Sequence, residues 1–182
     1  RAHTRAQVVV RPLNRLARAS DPSVAWVALK LVARIVGDGR AHLFAPTVAE
    51  YLPRPRDAPH LADMRMQVLS ELVLPGTAEL VLGELDLAAR SPEIELVCAA
   101  ARAIGRCAAR VPSAAPRCLR SLLRLLTSAN EPIVAEAVGA LRTTLEALPK
   151  DQTRAVRRLA AMLPSIGSAR ARASILWWVS EY

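Results

Sequence analysis

The feature that most constrains this chain is a helix start that recurs along it. At three places a side chain able to cap a helix stands just before a proline, and apolar residues at helical spacing follow. These places are Ser20-Asp21-Pro22, Ser91-Pro92-Glu93 and Asn130-Glu131-Pro132. A cap oxygen accepts hydrogen bonds from backbone N–H groups that the first turn leaves without partners, and proline in that turn sacrifices no bond. Each place therefore predicts the start of a helix.

The spacing of these starts indicates a repeat. Pro59, which follows Asp57, is a fourth and weaker start, so the prolines stand at 22, 59, 92 and 132, at intervals of 37, 33 and 40 residues. A fifth start is predicted near Ser168, 36 residues after the fourth. Periods of this size are typical of helical repeats, and about 40 residues indicates HEAT or armadillo units of two helices.

A helix breaker divides each period in two. The breakers are Gly37-Asp38-Gly39, Pro75-Gly76, residues 112–116 and Pro149. They leave segments of helix length, which are 22–36, 41–52, 60–74, 77–90, 92–111, 117–128, 132–148 and 151–163. We expect Pro53-Arg54-Pro55-Arg56-Asp57 to be a loop that joins the first two repeats.

Composition favours the same fold class. Aromatic residues make up only 3% of the chain, whereas a β-sandwich or β-barrel of this size would use more of them. Leu, Ala and Arg dominate, and all three favour helices. We predict an all-α fold, an α-solenoid of HEAT/armadillo-like helix pairs. Because the sequence starts without Met and stops in mid-pattern, we expect residues 1–182 to be a single solenoid fragment of a longer domain, with about five helix pairs.

The helix predicted over 92–111 shows how one helix buries its apolar side. Its apolar residues recur at intervals of three and four, and Gly105 falls within the same arc. A bulky side chain at this glycine should overpack the contact with a neighbouring helix. Trp177 and Trp178 are adjacent, so we expect one in the core and the other facing the next repeat, while Trp26 packs within its own repeat.

No catalytic or metal-binding constellation is visible in the sequence. Cys98, Cys107 and Cys118 lack metal-ligand spacing, and we expect reduced thiols packed as small apolar groups. No segment offers a nucleophile elbow, a metalloprotease helix motif or a phosphate loop. We therefore predict no enzymatic activity, no cofactor and no bound metal. There is also no secretion signal and no apolar run long enough for a membrane span.

Charge is distributed unevenly, and this is the feature that most suggests a function. Residues 57–95 hold eight acids and two bases, a net charge of −6, whereas 96–128 hold six Arg and no acid. Segments 1–20 and 152–172 each hold five Arg and no acid. The six arginines of 96–128 are a candidate strip for an acidic partner surface or anionic lipid: Arg102, Arg106, Arg110, Arg117, Arg120 and Arg124.

Three other interpretations of the strip stay open. The arginines are also what solvated outer faces of amphipathic helices would show, and the acidic segment could neutralise them from an adjacent repeat. The chain has 23 Arg and two Lys, a bias that genomic base composition can also produce. Because no aromatic residues are interleaved with the arginines, we expect no nucleic-acid binding.

Short segments, most of them in the second half of the chain, carry a family resemblance. They are Ala103-Ile104-Gly105-Arg106-Cys107-Ala108, Cys118-Leu119, Val134-Ala135-Glu136 and Ala171-Arg172-Ala173-Ser174-Ile175-Leu176-Trp177, with weaker matches at Tyr51-Leu52 and over 65–73. Together they resemble the trunk of a beta-adaptin, and Ser174-Ile175-Leu176 is most like the beta subunit of adaptor protein complex 3. Ser180, where the family usually has Gly before Glu181, departs from the pattern.

The resemblance implies a function as well as a fold. It implies a trunk solenoid that clasps a medium and a small subunit together with the second large subunit. It also implies recruitment to Golgi or endosomal membranes by a small GTPase and anionic lipid, a cytoplasmic and peripheral location, and sorting of proteins to lysosome or vacuole. We carry over no cargo site. The alternatives are another HEAT-repeat scaffold such as a nuclear transport receptor, or a basic nucleic-acid-binding repeat protein with steep salt dependence.

Overall fold

The computed structural model describes residues 2–54, 57–148 and 152–181, and every regular element in these ranges is a helix. The α-helices are α1 (Ala2–Leu16), α2 (Pro22–Ile35), α3 (Ala41–Phe44), α4 (Pro59–Glu71), α5 (Ala78–Ala88), α6 (Ile94–Arg110), α7 (Ala115–Leu125), α8 (Glu131–Glu146), α9 (Gln152–Met162) and α10 (Ala169–Glu181). A π turn covers Val36–Arg40, and 3-10 turns cover Ala45–Tyr51, Pro112–Ala114 and Leu163–Ser165. The predicted all-α fold class is confirmed.

The chain divides into two compact units, Arg1–Glu84 and Leu85–Tyr182. In the first unit, α2 packs against both α1 and α4. The core of this unit includes Leu29, Phe44 and Leu69, none of which retains accessible surface. Tyr51 lies edge-on to the ring of Phe44, with ring centroids 6.4 Å apart, and its hydroxyl donates a hydrogen bond to the side chain of Asn14.

In the second unit, α6 packs against α7 and α8, and α8 also packs against α10. The core here is built from aliphatic side chains, among them Ile104, Leu122 and Leu141, which are fully buried. The expectation for Gly105 is confirmed, because a Cβ at this position would lie 2.9 Å from the Cβ of Ala140 and 3.0 Å from its Cα. The glycine thus permits the close approach of α6 and α8.

Two of the predicted helix starts have the expected cap. Asp21 accepts a hydrogen bond from the Ser23 N–H at 2.8 Å, and Pro22 is the first residue of α2. Ser168 accepts one from the Ala171 N–H at 3.3 Å, at the start of α10. Both caps satisfy a backbone donor that the first helical turn leaves free.

The other predicted caps are wrong in detail. The Ser91 hydroxyl accepts from the Glu93 N–H at 3.1 Å, but α6 starts only at Ile94, so the proline between them precedes the helix. The side chain of Asn130 makes no capping bond to α8. Asp57 does not cap α4 either, since Ala58 takes the cap position and the carboxylate turns to a buried arginine instead.

The predicted helix over 41–52 is also wrong, because it breaks into two shorter pieces. Helix α3 has only four residues, and a 3-10 segment follows in which Thr47 departs from helical geometry. Pro46 explains the break, since it lacks a backbone donor and restricts the residue before it. The breaker before this segment works as expected: Gly39 turns the chain with a φ of 87°, a conformation that glycine adopts at little steric cost.

Helix α1 was not predicted, because residues 1–20 contain no capped proline start. Apart from α3, the other helices lie within three residues of their predicted bounds, and α10 begins one residue after Ser168, the only bound that was predicted for it. Pro149, Pro55 and Arg56 lie outside the described residues.

Of the tryptophans, Trp178 is buried and Trp177 is 57% exposed, as adjacent positions on one helix require. Trp26 is half-buried, with the Lys30 ammonium 4.7 Å from the ring centroid.

The burial of the thiols predicts how the free energy of unfolding responds to alkaline pH. Burial raises the pKa of Cys118 from 9.0 to about 12. A thiol whose pKa rises on folding stabilises the native state fully below pH 9.0, and this contribution is lost as the pH rises toward 12. We expect urea titrations to show a loss of about 2 kcal/mol from Cys118 between about pH 8 and about pH 10.5. If Cys118→Ala shows the same pH dependence as the parent, the prediction is wrong.

Candidate interaction surface

The six arginines of the predicted strip come from two helices of the second unit. Arg102, Arg106 and Arg110 stand on α6 at intervals of four, which places them along one side of the helix. Arg117, Arg120 and Arg124 stand on α7. The sequence places all six between the acidic segment and α8, and the structure shows which of them meet a carboxylate.

We call Arg102, Arg106 and Arg110 the α6 row, and its first member forms an ion pair with α8. Arg102 Nη1 donates to Glu136 Oε1 at 2.9 Å, and both side chains are almost 40% exposed. An ion pair with this exposure contributes about 0–1 kcal/mol, because water screens it. Partial burial lowers the pKa of Arg110, but a guanidinium still stays protonated at neutral pH.

We call Arg117, Arg120 and Arg124 the α7 row, and two of them form ion pairs with a carboxylate near the end of α5. Arg117 Nη2 lies 3.4 Å from Asp86 Oδ2, and Arg124 Nη2 lies 3.1 Å from Asp86 Oδ1. The hydroxyl of the buried Ser121, on the same helix, also donates to this carboxylate. Three donors from one helix therefore converge on Asp86 and fix α7 against the end of α5.

The structure thus divides the predicted strip instead of presenting it as one free face. Asp86 belongs to the acidic segment 57–95, so neutralisation by that segment holds for Arg117 and Arg124. Arg102 is neutralised too, but by Glu136, which lies outside that segment. Arg120 differs from these, because it is exposed and has no ion-pair or hydrogen-bond partner in the part of the chain that the structure describes.

Three exposed arginines had no role assigned to them from the sequence. Arg154, Arg157 and Arg158 on α9 are exposed, and their spacing of three and four residues places them on one side of that helix. The signal was available, since 152–172 holds five Arg and no acid. Arg172 has a structural task instead, because it donates to the carbonyl oxygens of Ile166 at 2.7 Å and Gly167 at 3.1 Å.

The described structure also has two surface depressions that contain none of the six arginines of the strip. An open groove of about 310 Å³ on the first unit is lined mainly by aliphatic side chains such as Val24 and Leu31. A cleft of about 440 Å³ lies between α8 and α10. Within the described ranges, no three His, Cys, Asp or Glu side chains come together as metal ligands, and none of the helices has the length and hydropathy that a membrane crossing needs.

Successive helix pairs that pack on their neighbours are typical of an α-solenoid, a class of protein that offers an extended surface to its partners. The chain belongs to the adaptin family: the family described as Adaptin N terminal region matches residues 1–182.

Curated relatives specify this membership further. AP-3 complex subunit beta-2 of Mus musculus is 32% identical over 175 residues, which are 96% of this chain and 16% of that protein. AP-3 complex subunit beta-1 of Homo sapiens is 28% identical over 97% of this chain and 16% of that protein. AP-1 complex subunit beta-1 of Homo sapiens is 27% identical over 90% of this chain and 17% of that protein. The predicted resemblance to beta-adaptins, and foremost to that of adaptor protein complex 3, is confirmed.

Structural comparison shows the same fold. A chain in a homology model of the full-length AP-3 complex in an intermediate open conformation matches 97% of this chain with a TM-score of 0.79 and 20% identity. The match covers 29% of that chain. The crystal structure of an engineered protein matches 94% of this chain and 95% of its own, with a TM-score of 0.55 and 16% identity. The predicted α-solenoid is therefore confirmed.

Proposed function

We propose that this chain is part of the trunk of a large beta subunit of a heterotetrameric adaptor complex, most like adaptor protein complex 3, and that it acts there as a non-catalytic scaffold. The observation that carries the proposal is the family match over residues 1–182, supported by AP-3 beta relatives that are up to 32% identical. The partners would be the second large subunit, the medium subunit and the small subunit. A small GTPase and anionic lipid would recruit the complex to the cytoplasmic side of Golgi or endosomal membranes.

The structure suits a scaffold for a physical reason. In a solenoid, each helix pair contacts mainly its neighbours, so the outer faces of successive pairs remain available for other molecules. Within the second unit, close packing holds neighbouring helices together, and the contact of Gly105 with Ala140 is an example. The charges on the outer faces then select partners and speed their encounter more than they add affinity.

Isolation of the full-length protein from its own cells tests the proposed function. The protein would carry an affinity tag and be purified at low and high salt, and the bound proteins would be identified by mass spectrometry. We expect one second large subunit, one medium subunit and one small subunit in equal amounts. Recovery of nuclear-transport cargo or of RNA in place of these subunits would overturn the proposal.

The α6 row of the strip provides a mutational prediction within this proposal. The triple change Arg102→Glu, Arg106→Glu and Arg110→Glu should lower the free energy of unfolding only modestly, because exposed ion pairs contribute about 0–1 kcal/mol each. If the row binds an acidic subunit surface, assembly of the triple variant should weaken, and the weakening should be greatest at low salt. Pull-down of the partner subunits over a salt series measures this.

A charge exchange separates binding from internal pairing. The double change Arg102→Glu with Glu136→Arg restores the ion pair between α6 and α8 but reverses its direction. If the pair serves only the fold, this variant should match the parent in both stability and assembly. If the row serves binding, its stability should be normal while its assembly stays weak. A folded triple variant that assembles like the parent would end the proposal for this row.

A further inference from the structure

Four exposed arginines on α7 and α9 pair with no carboxylate among the residues that the structure describes. Arg120 on α7 and Arg154, Arg157 and Arg158 on α9 are exposed, and the structure gives none of them an ion-pair or hydrogen-bond partner among the described residues. Neither helix contains an acidic residue. We call these four arginines the α7–α9 basic face.

The order of the helix pairs predicts that these arginines lie on one side of the second unit. Helix α8 packs against both α6 and α10. Helix α7 packs against α6 and α8, and α9 packs against α8 and α10. Because repeats of a solenoid stack in the same sense, the second helices of successive pairs share one layer. We therefore expect the outer surfaces of α7 and α9 to lie on the same side of the second unit.

We infer that the α7–α9 basic face binds an extended acidic segment of a partner polypeptide. The spacing supports this occupant, since Arg154 and Arg158 are four residues apart, about 6 Å along the helix axis. Alternate side chains on one side of an extended strand stand about 6.6 Å apart. Carboxylates at every second position of a strand can thus reach both guanidinium groups, and arginine binds carboxylates through two parallel hydrogen bonds.

The surroundings of the face favour a polypeptide over a membrane or a nucleic acid. The apolar residues of α9, among them Val156 and Leu159, are buried, and no large apolar side chain is exposed on the described parts of α7 or α9. The face therefore has nothing to insert between lipid chains. Neither helix has an aromatic residue on which a base could stack.

A binding assay with a defined acidic peptide tests the inference. The probe is a fluorescein-labelled peptide of alternating Glu and Ser, titrated with the purified chain and followed by fluorescence anisotropy. We expect the triple change Arg154→Glu, Arg157→Glu and Arg158→Glu to weaken binding about tenfold at low salt, since three exposed pairs are lost. Added salt should reduce the difference between the parent and the variant.

A matched control separates this face from net charge. The triple change Arg11→Glu, Arg15→Glu and Arg34→Glu reverses three exposed arginines of α1 and α2, so the total charge changes by the same amount. This control should bind the peptide like the parent. Equal weakening in both triple variants would overturn the inference, because net charge alone would then account for binding.

Two further probes test the other occupants. Vesicles of phosphatidylcholine and phosphatidylserine and a single-stranded RNA oligonucleotide are compared with the peptide at the same salt. Tighter binding of either one through the same three arginines, with no peptide binding, would overturn the inference. If the Glu variant loses its helical circular dichroism, the Arg→Gln triple variant replaces it, with weakening of about threefold expected. The inference goes beyond the scaffold function and does not depend on it, because the assay uses the isolated chain.

Discussion

Gly105→Leu should destabilise the second unit by about 3 kcal/mol, the upper part of the range for overpacked cores. A Cβ at this position would already lie 2.9 Å from the Cβ of Ala140, 3.0 Å from its Cα and 3.2 Å from its carbonyl oxygen. Two of these atoms belong to the backbone of α8, so no side-chain rotation relieves the clash. The helices must separate, and contacts among the buried residues around them are lost. Urea denaturation followed by circular dichroism measures the change.

Gly139 provides a matched control within the neighbouring helix. It also lies inside a helix, but a Cβ there would meet nothing within 4 Å. Gly139→Ala should therefore stabilise the chain by about 0.5–1 kcal/mol, because alanine favours helices more than glycine does. The two glycines should thus respond in opposite directions. An unchanged free energy of unfolding for Gly105→Leu would show that α6 and α8 do not pack as closely as described.

Arg65→Met should destabilise the first unit by about 3–5 kcal/mol, because removal of one partner leaves the other charge buried. The Arg65 side chain is 1% exposed, and its Nε lies 2.7 Å from Asp57 Oδ2, with the Asp57 side chain 7% exposed. Its Nη2 also donates to the carbonyl oxygen of Ala17 at 2.9 Å. Burial lowers the pKa of Arg65, and the nearby Asp57 carboxylate opposes that shift. The arginine thus joins the end of α1, the loop before α4, and α4 itself.

An exposed arginine that also forms an ion pair tests whether burial causes this effect. Arg142 pairs with Glu146 four residues later at 3.4 Å, and both side chains are at least 60% exposed. Arg142→Met should change the free energy of unfolding by about 0.5 kcal/mol or less. A double-mutant cycle with Asp57→Asn then isolates the coupling within the buried pair. A loss of stability for Arg65→Met no greater than that for Arg142→Met would contradict the prediction.

The candidate surface shows how far sequence reasoning reaches. The excess of arginine over 96–128 is visible in the sequence, and so is the row of Arg102, Arg106 and Arg110 on one helix side. The sequence does not show that Asp86 forms ion pairs with Arg117 and Arg124, because these pairs depend on which helix end lies beside α7. The α7–α9 basic face was visible only in part: Arg154, Arg157 and Arg158 fall in the acid-free segment 152–172, whereas Arg120 stands more than thirty positions before them.

The sequence by itself determined most of the helices and the class of fold, since capping, proline placement and apolar spacing act within a few residues of the chain. Asp21 therefore caps α2 as predicted. Tertiary structure decided the cases in which a side chain had a choice of distant partners. Asp57 stands where a cap belongs, yet it pairs with Arg65, because a buried guanidinium needs an opposite charge more than an exposed helix start needs a cap. Contacts of this kind are set by the packing of helices, which the local pattern does not contain.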